Sequence, residues 1–450
     1  MAERIKVLVL DDDPTGSQTV HSCPLLLRWD ADSLRHGLAH PSPLLFLLSN
    51  TRALDPRAAE ERVRSLCQAL KPALAEAQAA GTIDRWLVLS RGDSTLRGHF
   101  PLEVEVIAAE LGPFDATLLA PAFLPGGRTT VAGVHQLHGQ PVHTTAFARD
   151  RLFGYSTSFL PAWVEEKTAG RIAAEAVPLL TGAELEGDPD QLVQRLAGFT
   201  GNTIVAVDAE RPEQLQALGA AVQALTARRL LFQSAASLIN GLVPLPPQPL
   251  DGAGLAGLRR RDAGGAPLPT LVLVGSHVPL ADAQLEVLLA DPACRGVEIE
   301  VAKLARVLEG PLPEPLLASL EQAWLAELQA VLAAGQTPVL FTSRGELVCR
   351  SAAERRRLGL ELAALMARLA GALAPGLGLI ISKGGITTHT LLADGLQLPW
   401  VELQGQLFAG LSVVLTPDEA AVPRLPVITF PGNLGDAGSL HQAWRLMQPL

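Results

Sequence analysis

Short apolar runs that break off into polar, glycine-bearing turns recur along this chain, and longer stretches with apolar residues three and four positions apart lie between them. Strand-like runs stand at 6–10, 44–48, 86–89, 116–120 and 204–207, alternating with helical stretches such as 57–80 and 211–228. Farther along, runs at 270–274, 338–341 and 377–381 alternate with helical stretches near 314–334 and 352–373. Strand and helix in alternation predict parallel sheets, because a parallel pair needs a crossover and the crossover helix buries its apolar stripe on the sheet. The expected fold class is α/β: two domains, each a mainly parallel sheet flanked by helices. One interruption, Val131 to His143, reads as a small hairpin inserted in the N-terminal domain and turning at His138-Gly139.

The alternation lapses between Gly241 and Pro269, where Pro-Leu-Pro-Pro-Gln-Pro is followed by Arg259-Arg260-Arg261-Asp262-Ala-Gly-Gly. That composition does not sustain regular structure and predicts a linker at 246–268 between domains at 1–245 and 269–450. A chain of 450 residues is also too long for one ordinary core.

Composition narrows the partners. No run of 18 apolar residues escapes charges, Pro or Gly, and Met-Ala-Glu-Arg-Ile-Lys leads straight into a strand, so neither a membrane span nor a signal peptide is expected and a cytoplasmic protein is. A formal charge of −10 with only five Lys argues against a nucleic-acid partner. Cys23, Cys67, Cys294 and Cys349 stand too far apart for a zinc site or a disulfide framework. A homo-oligomer is left open.

The chemistry gathers where strands end. After Lys6-Val-Leu-Val-Leu10 come Asp11-Asp12-Asp13-Pro14-Thr15-Gly16. Three adjacent carboxylates at the carboxyl edge of a sheet repel one another unless a cation, a basic side chain or a substrate hydroxyl offsets them, and that edge is where α/β proteins bind ligands. Ser49-Asn50-Thr51-Arg52 follows a second strand, and Ser90-Arg91-Gly92-Asp93-Ser94-Thr95-Leu96-Arg97 follows a third. Arginine forks beside an acid and hydroxyls suit a small molecule with a carboxylate and several hydroxyls, although Asp93 or Ser94 could equally cap a helix. In Pro121 to Thr130, prolines and paired glycines are expected to fix a loop in which Arg128, Thr129 and Thr130 point together. His135, His138 and His143 crowd nine residues, but hairpin alternation separates His138 from the others and disfavours a shared metal. In the C-terminal half, Ser382-Lys383-Gly384-Gly385-Ile386-Thr387 opens a helix, and paired glycines there let backbone N–H groups approach a phosphate. Gly275-Ser276-His277 and Pro431-Gly432-Asn433 add two further glycine-bearing loops.

Together these segments resemble the four-carbon acid sugar kinase family. The match is carried by Asp12-Asp13-Pro-Thr15-Gly16, Asp93-Ser94-Thr95-Leu96-Arg97-Gly98, Pro121-Ala-Phe, Gly127-Arg128-Thr129-Thr130-Val-Ala-Gly133, Phe147-Ala-Arg149-Asp150, Gly275-Ser276 and Gly384-Gly385-Ile386-Thr387, in order along nearly the whole chain. The resemblance implies an N-terminal sugar-binding domain, a C-terminal nucleotide-binding domain, and ATP- and Mg²⁺-dependent phosphorylation of the terminal (C4) hydroxyl of a tetronate or 3-oxo-tetronate. By position it places Asp12, Asp13, Arg52, Arg91, Asp93, Ser94, Arg97 and Arg128 at the sugar acid, and Ser276, Gly384, Gly385, Ile386, Thr387 and Gly432 at ATP, with Asp12 or Asp93 as the base and the metal ligands unknown. The chain departs from the common pattern in its extra acid Asp11, in Pro14 and Ser17, in Arg91 where Lys is usual, and in Ile386 where an acid is usual. Two other readings start from the same residues. Asp11-Asp12-Asp13-Pro14-Thr15 also fits the D-x-D-x-T nucleophile motif of haloacid-dehalogenase-like phosphatases, with Asp11 attacking phosphate and Asp13 as acid/base. A non-catalytic sugar-acid sensor would account for Ile386.

Overall fold

The computed structural model describes residues 3–17, 19–310, 313–344 and 352–448. The chain divides into two compact units, one up to Pro247 and the other from Gln248.

In the first unit the strands are β1 (Ile5–Asp11), β2 (Cys23–Leu26), β3 (Leu44–Leu48), β4 (Arg85–Arg91), β5 (Ala116–Ala120), β6 (Arg128–Val131), β7 (Val134–Leu137), β8 (Gln140–Pro141), β9 (Leu179–Leu180), β10 (Thr203–Val207) and β11 (Leu230–Ser234). Eight of them lie side by side in the order β2-β3-β1-β4-β11-β5-β10-β9, every pair parallel. The central runs, such as Leu44–Leu48 and Ala116–Ala120, are buried at every position, as a sheet covered on both faces requires. The helix Pro56–Ala79 shows why the coverings form: the Asp55 carboxylate accepts the Ala58 N–H at 2.9 Å, Pro56 opens the first turn, and Val63, Leu66, Cys67, Leu70 and Leu74 fall on one buried stripe. Chain order matters most at β1. The chain builds β2 and β3 on one side of β1 and then crosses to place β4 on the other, so a crevice opens at the carboxyl ends of β1 and β4.

The insertion has three strands rather than two. β6, β7 and β8 form an antiparallel sheet with turns at Ala132-Gly133 and at the expected His138-Gly139, and all four of those residues have positive φ, from 49° to 77°. Such paired left-handed conformations are what tight hairpins demand.

In the second unit β12 (Thr270–Val274), β13 (Cys294–Ile299), β14 (Thr337–Thr342), β15 (Leu379–Lys383), β16 (Trp400–Phe408), β17 (Leu411–Leu415) and β18 (Pro426–Phe430) follow the order β13-β14-β12-β15-β18-β17-β16. Pairs as far as β15–β18 are parallel, and β16–β17–β18 is an antiparallel meander. The side change seen at β1 recurs at β12, between β14 and β15. Among the described residues one helix, within Arg357–Gly376, is long and apolar enough to cross a membrane, but 56% of it is buried inside the protein. Residues 246–268 are more than a bare tether: the helix Gly252–Ala256 forms there, and Leu255 is fully buried in the core with Val272, Ile381 and Trp444. Cys23, Cys67 and Cys294 are buried, and Cys349 lies outside the described residues.

Candidate functional site

The crevice beside β1 is built from paired charges. Arg52 reaches it on a short 3₁₀ turn, Thr51–Ala53, and grips Asp12 with two nitrogens, Nε at 3.0 Å from Oδ2 and Nη2 on Oδ1. Its Nη1 lies 3.3 Å from Asp13 and 4.0 Å from Asp93. Arg91, at the end of β4, stands in register with Asp11 and reaches Asp11 at 3.4 Å and Asp12 at 3.6 Å. Arg97 gives Nε to Asp93 at 2.7 Å while its guanidinium covers the Phe147 ring at 4.9 Å. The repulsion expected among the acids is thus offset by three arginines.

These environments separate the acids. Burial pushes Asp11 up to about 7 against the pull of Arg91. Burial also raises Asp12, against Arg52. Burial works the same way on Asp13 but is outweighed by Arg52 and two hydrogen bonds from Thr15, so Asp13 ends below its ordinary range. For Asp93, Arg52, Arg97 and the Thr95 hydroxyl overcome burial and hold the carboxyl far down. Asp11 has no exposed surface, and a Cβ at Gly16 would lie 2.0 Å from its Oδ1, so the Gly16 backbone walls it in. This corrects the phosphatase reading: a nucleophile sealed behind the chain cannot meet a phosphate ester.

The loop after β4 is a turn, Leu96 N–H to Asp93 C=O at 3.1 Å, with Leu96 at φ 64°. Neither Asp93 nor Ser94 caps a helix, since the next one begins at Leu102. The accessory sheet and the loop after it hold this turn by its carbonyls. His135 Nε2 donates to Ser94 O at 2.8 Å, with Thr130 Oγ1 on its Nδ1 at 2.9 Å, and Tyr155 donates to Thr95 O at 2.7 Å. Burial keeps His135 down near 4, consistent with a neutral ring. Strand alternation places Thr129 on the face opposite Arg128 and Thr130, so the three do not point together as expected. Arg128 Nη1 donates to Gly126 O at 2.5 Å and its guanidinium sits 5.8 Å from the Phe123 ring. His143 bonds Ser158 at 2.8 Å, and a Cβ at Gly127 would strike His138, so each of the three histidines has its own neighbour. Among the described residues no three His, Cys, Asp or Glu side chains are grouped to hold a metal.

A cavity of about 20 Å³, room for one water, is lined by Asp12, Asp93, Arg97, His99, Glu103 and Gln233 among others. Of its lining, the Arg97 side chain is 24% exposed; beside Asp12, the side chains of Asp13 and Arg52 are 22 and 20% exposed. Sequence reasoning missed His99, Glu103 and Tyr155, whose partners are distant in the chain.

In the second unit three loops meet at the carboxyl ends of β12, β15 and β18. A Cβ at Gly275 would lie 2.0 Å from Thr387 Oγ1, and one at Gly432 would lie 2.8 Å from Ser276 Oγ. Gly384 adopts φ 114°, closed to other residues without strain, and donates to Phe430 O at 2.9 Å. Gly385, Ile386 and Thr387 then form the first turn of the helix Gly385–Thr390, whose N–H groups have no partner within the helix. Ile386 is 48% exposed. The residue that ties the loops together is Lys383, which the sequence reading named in its run but gave no role. It is fully buried, donates to Pro431 O at 3.0 Å and Gly432 O at 3.2 Å, and lies 4.2 Å from the Phe430 ring centre. Burial brings its ammonium down to about 7. Arg344 donates to Ser276 O at 2.7 Å and pairs with Asp282 at 3.0 Å. Its place after an apolar strand was the available signal.

Comparison with known proteins adds to this geometry. A family profile described as a sugar-binding N-terminal domain matches residues 7–242, and one described as a nucleotide-binding C-terminal domain matches residues 271–440. A D-threonate kinase of Bordetella bronchiseptica is 29% identical over 358 residues, covering 78% of this chain and 75% of its own. A D-erythronate kinase of Heliobacterium modesticaldum is 28% identical over 155 residues, 32% of either chain. Crystal structures from Salmonella typhimurium LT2 and Haemophilus influenzae share the fold with TM-scores of 0.68 and 0.60, each 17% identical and covering 98% of this chain and all of the other.

Proposed function

Because the chain belongs to the four-carbon acid sugar kinase family, we propose that it transfers the γ-phosphoryl group of ATP to the terminal hydroxyl of a tetronate or 3-oxo-tetronate. The observation that carries this reading is the bidentate Arg52–Asp12 pair at the crevice beside β1, with Arg97 at the rim. Arg97 commits Nε to Asp93, which leaves Nη1 and Nη2 to take the substrate carboxylate as a fork. Asp12 is the better base of the two candidates. Burial raises its proton affinity, whereas Asp93 is held too low to take a proton from an alcohol and serves to fix Arg52 and Arg97. Two of the four lone-pair directions of Asp12 face Arg52, so others remain for the hydroxyl.

The glycine-bearing loops suit polyphosphate. Gly275 and Gly432 leave no room for side chains where the loops meet, Gly384 takes a backbone angle that glycine alone holds without strain, and the first-turn amides of Gly385, Ile386 and Thr387 supply donors. The one carboxylate these loops bring, Asp436, accepts the Gly438 N–H and Ser439 Oγ on a single oxygen, Oδ1. Mg²⁺ would travel with the nucleotide's phosphates, where it neutralises charge on the transferring group.

The test is a coupled ADP-release assay with ATP and Mg²⁺ against a panel of tetronates, 3-oxo-tetronates and related sugar acids. Turnover of one of them is the expected result. Silence across the panel, together with ATP-independent phosphate release from sugar phosphates, would overturn it.

A further inference from the structure

Glu103 is a buried acid that the roles above leave unused. It stands in the first turn of the helix Leu102–Leu111 and is 6% exposed. One carboxylate oxygen accepts the Thr51 hydroxyl, and the other accepts Ser90 Oγ at 3.2 Å. Those residues immediately precede Arg52 and Arg91, the two guanidiniums that converge on Asp12. The turn bearing Arg52 is entered through Asn50 at φ 50°, lacks a side-chain cap, closes with Leu54 N–H on Thr51 O at 2.8 Å, and meets β1 through the Arg52 N–H on Asp12 O at 3.3 Å. His99 adds a second grip, with Nε2 3.1 Å from both Thr51 O and Leu54 O.

We propose that Glu103 is a positioning residue for the sugar acid, bracing the Thr51 and Ser90 segments from one carboxylate so that Arg52 and Arg91 meet Asp12 in a fixed geometry. The inference rests on the kinase reading above. An apolar side chain in this place, with Val and Ala for the two hydroxyl residues, would avoid desolvating a charge. What the carboxylate adds is direction, since it accepts two hydroxyls at set angles and so locks two distant stretches of chain to one another. Arginines displaced by about 1 Å would cost up to about a hundredfold in a reaction that depends on alignment.

The test compares the full-length wild type with Glu103→Leu, Glu103→Gln, Thr51→Val and Ser90→Ala by steady-state kinetics and by amide hydrogen exchange. Glu103→Leu should raise KM for the sugar acid by about tenfold or more while KM for ATP stays within about twofold. Glu103→Gln should recover most of that loss, because an amide satisfies both hydroxyls once one of them turns to accept. Amides of residues 50–54 should exchange faster in the Leu variant. Equal rises in both KM values, or unchanged exchange at 50–54, would overturn the proposal. Should Glu103→Leu not fold, Thr51→Val and Ser90→Ala carry the same comparison, each with a smaller rise. A wild type that turns over no sugar acid would defeat the kinase reading alone; the exchange measurement would still support the brace if accelerated and sink it if not.

Discussion

The two units place their polar clusters at the same topological position and build them from different material. In each, the chain completes strands on one side of a central strand, β1 or β12, and crosses to the other, and the clusters sit at the resulting crevice. In the first unit the crevice is built from side-chain charges: Asp12, Asp13 and Asp93 balanced by Arg52, Arg91 and Arg97, with Asp11 buried behind them. In the second it is lined by main chain, with Gly275, Gly384 and Gly432 packed against neighbouring hydroxyls and one buried cation, Lys383, fastening carbonyls. A small polyol acid presents little surface, so recognising it needs directional donors and acceptors; a polyphosphate presents repeated charge, which amides and close approach can serve. The first site should therefore be sensitive to loss of a charged atom, and the second to gain of a carbon.

The sharpest way to break this contrast is Asp12→Asn, expected to lower kcat/KM for the sugar acid by about 10²–10⁴-fold with KM for ATP little changed in the ADP-release assay. A loss under tenfold would remove Asp12 from the reaction. Next comes Gly275→Ala, whose new Cβ would lie 2.0 Å from Thr387 Oγ1. It should raise KM for ATP by about tenfold or more and leave the sugar-acid KM alone, whereas Gly359→Ala, with nothing within 4 Å, should stabilise its helix by about 0.5–1 kcal/mol in thermal unfolding.

The pH dependence of stability separates the units through single variants. Burial raises Glu103 from 4.5 to about 7, so between those values the folded chain binds more protons than the unfolded one, and stability falls as pH rises. Burial lowers Lys383 from 10.5 to about 7, so over that window the unfolded chain binds more protons, and stability rises with pH. Glu103→Gln should remove a fall in stability of on the order of 3 kcal/mol between pH 4.5 and 7, and Lys383→Met a rise of on the order of 5 kcal/mol between pH 7 and 10.5, as followed by denaturant unfolding at stepped pH. Opposite assignments would show that burial does not dominate these groups. The smallest effect belongs to Ile386→Ala: at 48% exposure it should change stability by less than about 0.5 kcal/mol.

Much of this was legible where a continuous apolar run ends in polar residues, because a strand buried on both faces has little other way to be written. Leu44–Leu48, Ala116–Ala120 and Thr270–Val274 form as expected from their sequences. β16 escaped for the converse reason: its residues alternate between half-buried and buried, so it offers no continuous run. β11 escaped because only Leu230-Leu-Phe stands between two arginines and Gln233. The run at 377–381 is displaced to Leu379–Lys383, since Pro375-Gly376 completes a 3₁₀ turn first, and this carries Ser382 and Lys383 into the buried strand. In the candidate site, arginines and acids near one another in sequence could be found by inspection. Glu103 and Lys383 could not, because each draws its meaning from partners supplied by folding, 52 and 13 residues away in one carboxylate's case and 48 and 49 in the ammonium's.

The hold that His135 and Tyr155 exert on the turn after β4 falls on the carbonyl oxygens of Ser94 and Thr95, atoms that every amino acid carries. The restraint is therefore blind to what side chain position 94 displays. Substituents there can be exchanged, by mutation over generations or by a library at the bench, without releasing the loop that presents them. Substrate preference can drift along this rim while the scaffold beneath it keeps the same shape.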